Sequence, residues 1–201
     1  MKPIIILIAI ATVIACLLSS AQGQQVLWGT PVGVEDCTSA GHSEPLGGAF
    51  TFQVGAFFEN EVPGWTPTAA NTTEWAEHWL AADSAAYNET FRSFTGACVV
   101  DPIFAGGQGY IWGFGGAEQE DEWILMTDPS WVFPAGGSGQ AFPESWQTSE
   151  ATIVIVGSLN QAPGASYHIQ TASVAGGALP FVPSGQLSLI HISEPTRRRL
   201  E

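Results

Sequence analysis

The chain has 201 residues, 19 acidic and five basic, and a formal net charge of −14. Seventeen of the acidic residues but only one basic residue, Arg92, lie between residues 24 and 186. Because binding to phosphates requires Lys and Arg, this balance excludes nucleic acid as a partner and disfavours anionic membrane surfaces. A chain that is 45% hydrophobic and 11% aromatic is also too apolar to be disordered.

Residues 1–23 have the features of a secretory signal peptide. Lys2 precedes an apolar run over residues 3–18, and small residues then lead to a cut before Gln24. The apolar run is too short for a comfortable membrane span. The pattern therefore predicts an exported protein that is secreted or held at the extracellular cell surface.

Two other interpretations of the N-terminus stay open. The segment could remain uncleaved as an anchor. Alternatively, "VIAC" at residues 13–16 resembles a bacterial lipobox, in which Cys16 would carry a lipid. "LLSS" after the cysteine continues the apolar run, which favours the cleaved signal peptide.

Short strands are predicted along the rest of the chain. Residues 49–58 alternate strictly, with phenylalanine, valine and alanine on one face and Thr51, Gln53 and Gly55 on the other, as in a half-buried strand. Further strands are predicted at residues 25–30, 109–114, 122–127, 130–134, 151–158 and 166–174.

One amphipathic helix is predicted over residues 72–86. Asn71 is a favourable N-cap, and Glu74 completes a capping-box pattern. Large or small apolar residues recur at positions 75, 79, 82 and 86, which is the spacing of a buried helical stripe.

These elements predict a single, mainly β domain over residues 24–186. Frequent glycine and proline favour many short strands joined by turns. The expected architecture is an antiparallel β-sandwich or a jelly-roll-like pair of sheets with the one helix.

Two cysteines remain after signal cleavage, Cys37 and Cys98. In an exported protein an even count suggests a disulfide. This one would close a loop of about sixty residues and constrain the unfolded chain by roughly 4 kcal/mol. Two free, buried thiols are the alternative.

"FTFQVGAFF", "GQGYIWGF", "DEWILMTDPSWVFP" and "ATIVIVG" together resemble a group of small exported bacterial surface proteins that often end in a PEP-CTERM sorting tail. The resemblance covers most of residues 48–174 and implies a location rather than an activity. The tail itself is not found in this sequence. Residues 187–201, "LSLIHISEPTRRRLE", instead resemble a translated sequencing adapter, so they are expected to be an artefact that replaces the natural terminus.

Four acidic residues, Glu118, Glu120, Asp121 and Glu122, are the weak candidates for a Ca²⁺ site or for paired catalytic carboxylates. No Asp-x-Asp-x-Asp-Gly loop supports calcium binding. The alternating pattern of a laminarinase-type glycosidase is also missing, so solvated turn residues are the simpler interpretation.

The tryptophans provide the best candidates for ligand binding. Trp65, Trp131 and Trp146 lie near proline or glycine, and as exposed platforms they could stack on sugars, whereas the others fall in predicted core positions. The dispersed histidines and the lack of a G-x-S-x-G elbow argue against a hydrolase.

The sequence therefore favours an exported structural or adhesive protein without catalysis. Its expected partner is extracellular polysaccharide or cell-surface matrix. A carbohydrate-binding module is the alternative, and a glycoside hydrolase-like enzyme is third. No cofactor is expected apart from an optional Ca²⁺.

Overall fold

A computed structural model of the chain describes residues 24–31, 46–115, 122–135, 142–162 and 167–180, together with the backbone of residues 37–38. The predicted signal peptide, Cys16 and residues 187–201 lie outside these ranges.

The described residues are mainly β, which confirms the predicted fold class. There are thirteen strands, one α-helix and two 3₁₀ turns (Pro102–Phe104 and Thr148–Glu150). In chain order the strands and the helix are β1 Gln25–Gly29, β2 Cys37–Thr38, β3 Thr51–Glu59, β4 Val62–Pro63, α1 Trp75–His78, β5 Trp79–Ala86, β6 Thr95–Val99, β7 Tyr110–Phe114, β8 Glu122–Thr127, β9 Glu144–Gln147, β10 Ile153–Val156, β11 Ser158–Leu159, β12 Ile169–Gln170 and β13 Ala172–Ser173.

A seven-stranded antiparallel sheet forms the centre of the domain. Strand β3 pairs with β5 on one side and β7 on the other, and it also pairs with the short β4 beyond its end. Strand β8 follows β7, and its outer side pairs with both β10 and β13. A separate small sheet has the order β11-β12-β2.

Both faces of the central sheet are buried. Successive residues of a strand point to opposite faces, so each strand contributes side chains to two hydrophobic clusters. In β3, Phe52 and Val54 enter a first hydrophobic cluster, whereas Phe57 enters a second. In β7, Ile111 enters the first cluster and Trp112 enters the second. The two faces that alternate at residues 49–58 therefore both contact hydrophobic clusters, whereas the sequence predicted that one face contacts the core and the other contacts solvent.

A three-stranded sheet covers the first cluster. Its order is β6-β1-β9, with β1 antiparallel to β6 and parallel to β9. Val26 and Trp28 of β1 reach the cluster, and the indole Nε1 of Trp28 donates a hydrogen bond of 2.8 Å to Oδ2 of Asp83 in β5. The two sheets thus face each other as the layers of a sandwich.

The second cluster is covered by irregular chain and the short helix. Trp75 and Trp79 lie over Trp112, whose ring meets both at nearly right angles with centroids 5.4 and 5.5 Å apart. Such edge-to-face pairs contribute about 0.5–1.5 kcal/mol each beyond the area that they bury. Val174 and Leu179 pack at the periphery of the same cluster.

The predicted helix is much shorter in the structure. Helix α1 covers only Trp75–His78. Residues 72–74 form a turn, and residues 79–86 form strand β5 along β3. The predicted cap is also wrong, because Oδ1 of Asn71 accepts hydrogen bonds from the backbone of Thr68 and from the indole of Trp75 instead of capping the helix.

Among the described residues, no helix is long and apolar enough to cross a membrane.

Candidate association surface at the split sheet edge

The outer edge of strand β8 is shared by two short strands. Strand β10 pairs with the half that ends at Thr127, and β13 pairs with Glu122 and Trp123 at the other end. Because β10 and β13 come from different parts of the chain, this edge of the sheet is split between them. We call β10, β13 and the gap between them the split edge.

Strand β10 is an uncharged edge strand. Among the described residues it pairs only with β8, so its other side offers unpaired backbone groups. The surrounding run "ATIVIVGSLN", residues 151–160, contains neither a charge nor a proline. Proteins commonly protect an exposed edge with lysine or proline to prevent pairing with another chain. The sequence of β10 lacks both of these devices, and only the short length of the strand and a bulge protect this edge.

A bulge shapes the strand. The pairing register shifts between Val154 and Val156, so that Ile155 is an extra residue and both Ile155 and Val156 pack on the second cluster. Ile153 keeps 44% of its surface exposed. Strand β10 ends at Val156, and the next residue, Gly157, has a φ of +85°, a conformation that other residues rarely adopt.

A groove opens beside β10 at the split. Its volume is about 450 Å³, and it is partly open to solvent. Its lining residues are small or apolar and none is charged: Ala69, Thr72, Ile155, Val156, Gly157, Ala172, Ser173, Val174 and Ala175. The groove can therefore receive apolar side chains, but it offers no pair of groups for acid–base chemistry.

Hydrogen bonds around Asp128 fix the beginning of β10. One carboxylate oxygen of Asp128 accepts from the backbone and the hydroxyl of Ser130, and the other accepts from Thr152 Oγ1 at 2.7 Å. These bonds, first that from the Ser130 side chain, lower the pKa of Asp128 below its ordinary value. A negative charge is thus maintained at this end of the split edge.

A second carboxylate lies at the other end. Glu122 is paired in register with Ser173, and its Oε2 accepts a hydrogen bond of 2.8 Å from Thr171 Oγ1. The uncharged split edge therefore runs between two acidic residues, Asp128 and Glu122.

The predicted tryptophan platforms are mostly wrong. Trp131 and Trp146 are buried in the first cluster, where their rings stack with centroids 5.9 Å apart. Trp65 is half-buried, but its ring stacks on His78 at 4.2 Å and also contacts Phe57 at 5.5 Å. Of the three, only Trp65 reaches solvent.

The acidic candidates are mostly outside the described ranges. This applies to Glu118, Glu120 and Asp121, whereas Glu122 is described and accepts the hydrogen bond from Thr171. Within the described residues, no group of three or more histidine, cysteine, aspartate or glutamate side chains is arranged to hold a metal.

The predicted disulfide is not seen. Cys98 is a free, buried thiol, and the side chain of Cys37 lies outside the described residues. Burial, with a smaller contribution from the Asp83 carboxylate, raises the pKa of Cys98 to about 11. A thiol with such a pKa stays protonated at neutral pH and is a poor nucleophile.

The two described histidines, His78 and His168, make internal contacts. Nδ1 of His78 lies 2.7 Å from the carbonyl oxygen of Phe58, and Nε2 of His168 lies 2.8 Å from the hydroxyl of Thr148. Burial lowers the pKa of His168, so its ring is neutral at physiological pH. Both side chains are therefore held by contacts within the fold.

Sequence reasoning missed the groove, because its lining comes from three separated segments. Ala69 and Thr72, the end of β10 and residues 172–175 meet only after folding. The uncharged run over residues 151–160 was the one signal that could have indicated an exposed edge.

Comparisons with known proteins give no relative: no protein-family model, no curated protein and no solved structure matches the chain.

Proposed function

We propose that the chain is an exported structural or adhesive protein of the cell surface that acts by binding and performs no catalysis. The observation that supports this most directly is the groove beside β10, whose lining residues are uncharged. The groove combines apolar side chains with hydroxyl and backbone groups, and it lies next to a strand edge with backbone groups to share, so it can receive small uncharged side chains of an extended segment.

The alternatives find less support in the geometry. A carbohydrate-binding module would need aromatic rings with free faces. Trp131 and Trp146 are buried, and the ring of Trp65 is in contact with His78 and Phe57. No pair of carboxylates is found at the groove, which is where a glycosidase would require them.

Location and binding mode can be tested together. We expect antibodies to label the full chain on intact bacterial cells, and to lose that signal when residues 2–23 are deleted. Protein found only in the cytoplasm would contradict export. On a glycan array we expect no binding that depends on Trp65. Specific binding that is lost in Trp65→Ala would contradict the structural role and identify a carbohydrate-binding module instead.

A further inference from the structure

We propose that the split edge binds an extended polypeptide segment with an uncharged, β-prone centre and basic residues at its ends, by adding a strand along β10. This inference rests on the proposed function, because it names the class of partner for the same surface.

The backbone of β10 provides the first part of the argument. In strand addition, main-chain hydrogen bonds give affinity and pockets for alternate side chains give specificity. Among the described residues, the side of β10 away from β8 has no paired strand. The segment 151–160 also has no charge or proline that would repel an incoming strand.

The groove provides the second part. It adjoins the end of β10, and Ile155, Val156 and Val174 contribute apolar surface to it. A strand laid along β10 would direct every second side chain toward this face. Small residues at positions 69, 172 and 175 leave the volume of about 450 Å³ into which such side chains can fit.

The dimensions limit the segment to a short one. Strand β10, along which the segment would pair, has four residues. At about 3.3 Å per residue, this part of the edge is roughly 13 Å long. The bulge at Ile155 interrupts the regular ladder, so the added strand is short and the groove must supply part of the affinity.

Charge identifies the ends of the partner. Asp128 and Glu122 lie at the two ends of the split edge, and the whole chain carries a net charge of −14. Basic residues that flank the uncharged centre would complement both carboxylates. A second copy of this chain brings the same negative charge, so self-association is opposed at low salt.

The test uses the ¹⁵N-labelled full chain, which is produced by export in a bacterial host and then purified. A peptide is titrated into this protein, and two-dimensional NMR monitors the backbone amides. The probe is a heptapeptide in which threonine and valine alternate between two terminal lysines. The matched peptides replace both lysines with glutamate, or the central residue with proline. We expect amide shifts at residues 153–157 and 172–175 with the lysine peptide. At low salt the glutamate peptide should bind about tenfold more weakly, and the proline peptide should produce no shifts there.

A variant that fills the groove provides the second readout. Ala175 is exposed and lines the groove, and Ala97 is an exposed alanine of the other sheet. We expect Ala175→Trp to weaken binding of the lysine peptide about tenfold, and Ala97→Trp to leave it unchanged, with both variants as stable as the parent protein.

Three results would overturn the proposal. The first is the absence of shifts at residues 153–157 at millimolar peptide. The second is equal binding by Ala175→Trp. The third is a concentration-dependent dimer of the parent protein that Ala175→Trp abolishes, because it would show that the partner is a second copy. None of these results depends on export or on surface labelling. If the peptide does not bind, the proposed function is therefore still tested separately by the labelling of intact cells.

Discussion

The indole Nε1 of Trp79 donates a hydrogen bond of 2.8 Å to Oε1 of Gln53, and both residues are buried within the second cluster. Gln53 is thus a polar side chain among aromatic rings, at the point where β3 and β5 meet. The bond satisfies a donor that would otherwise be buried without a partner.

Gln53→Met should therefore destabilise the protein, although it conserves length and is more apolar. Removing the acceptor leaves the Trp79 N–H unsatisfied, which costs about 1–3 kcal/mol. Urea unfolding of the single variants and the double variant measures the effect. In a Trp79→Phe background the same change should cost clearly less, and equal costs in the two backgrounds would show that the bond contributes nothing.

Stability should fall as the pH drops below about 6.5, the ordinary pKa of histidine, because of His168. Burial lowers the pKa of His168 in the folded protein, so protons bind the unfolded chain more readily. The contribution of His168 to the free energy of unfolding is complete above the pKa that it has in the unfolded chain. This contribution is lost as the pH falls through the pKa that it has in the folded protein. Unfolding midpoints between pH 5 and 8 should decline less steeply in His168→Gln, and parallel curves would contradict this assignment.

Cys98 should react slowly in the folded protein. Its thiol is buried and its pKa is about 11, so little thiolate forms at neutral pH. We expect iodoacetamide to modify the Cys98 peptide only after denaturation, without any reductant, as measured by mass spectrometry. Modification of this peptide only after reduction would instead show that Cys98 forms the predicted disulfide with Cys37.

Trp146→Ala should destabilise the protein far more than Trp65→Ala. Trp146 is buried against Trp131 and Phe133, and truncating such a residue to alanine costs about 3–5 kcal/mol. Trp65 is half-buried, so its loss should cost at most half as much. Chemical denaturation of both variants checks the ranking, and comparable losses would mean that Trp65 is also a core residue.

The sequence predicted several strands because their residues satisfy both local preference and burial. Strand β8 has the predicted bounds, and β3 and β7 agree to within two residues. The expectation of a half-buried β3 was wrong in part. Its second face is covered by α1 and the chain before it, a contact between distant segments that no local pattern reveals.

The helix prediction failed at β5 for a related reason. Trp79, Ala82 and Ala86 have the predicted helical spacing, yet β5 pairs with β3, contains a bulge at Ala82 and leaves Ala86 exposed. The extra residue shifts the alternation, so that Ala82 and Ala85 both reach the first cluster from a strand. A helical repeat and a bulged strand thus give similar hydrophobic patterns, and pairing with β3 decides between them.

The parallel pairing of β1 with β9 has a consequence for the order of folding. Val26 lies beside Glu144, so the sheet over the first cluster joins parts of the chain that are more than a hundred residues apart. Contacts at such separation form slowly, because a long loop must close first. During synthesis, β1 can pair with β6, and Trp28 can pack on Phe94, before β9 emerges. Only the parallel pairing with β9 has to wait for residue 147. We therefore expect this edge of the sheet to close late, so holding the chain unfolded until synthesis is complete should raise the yield of native protein.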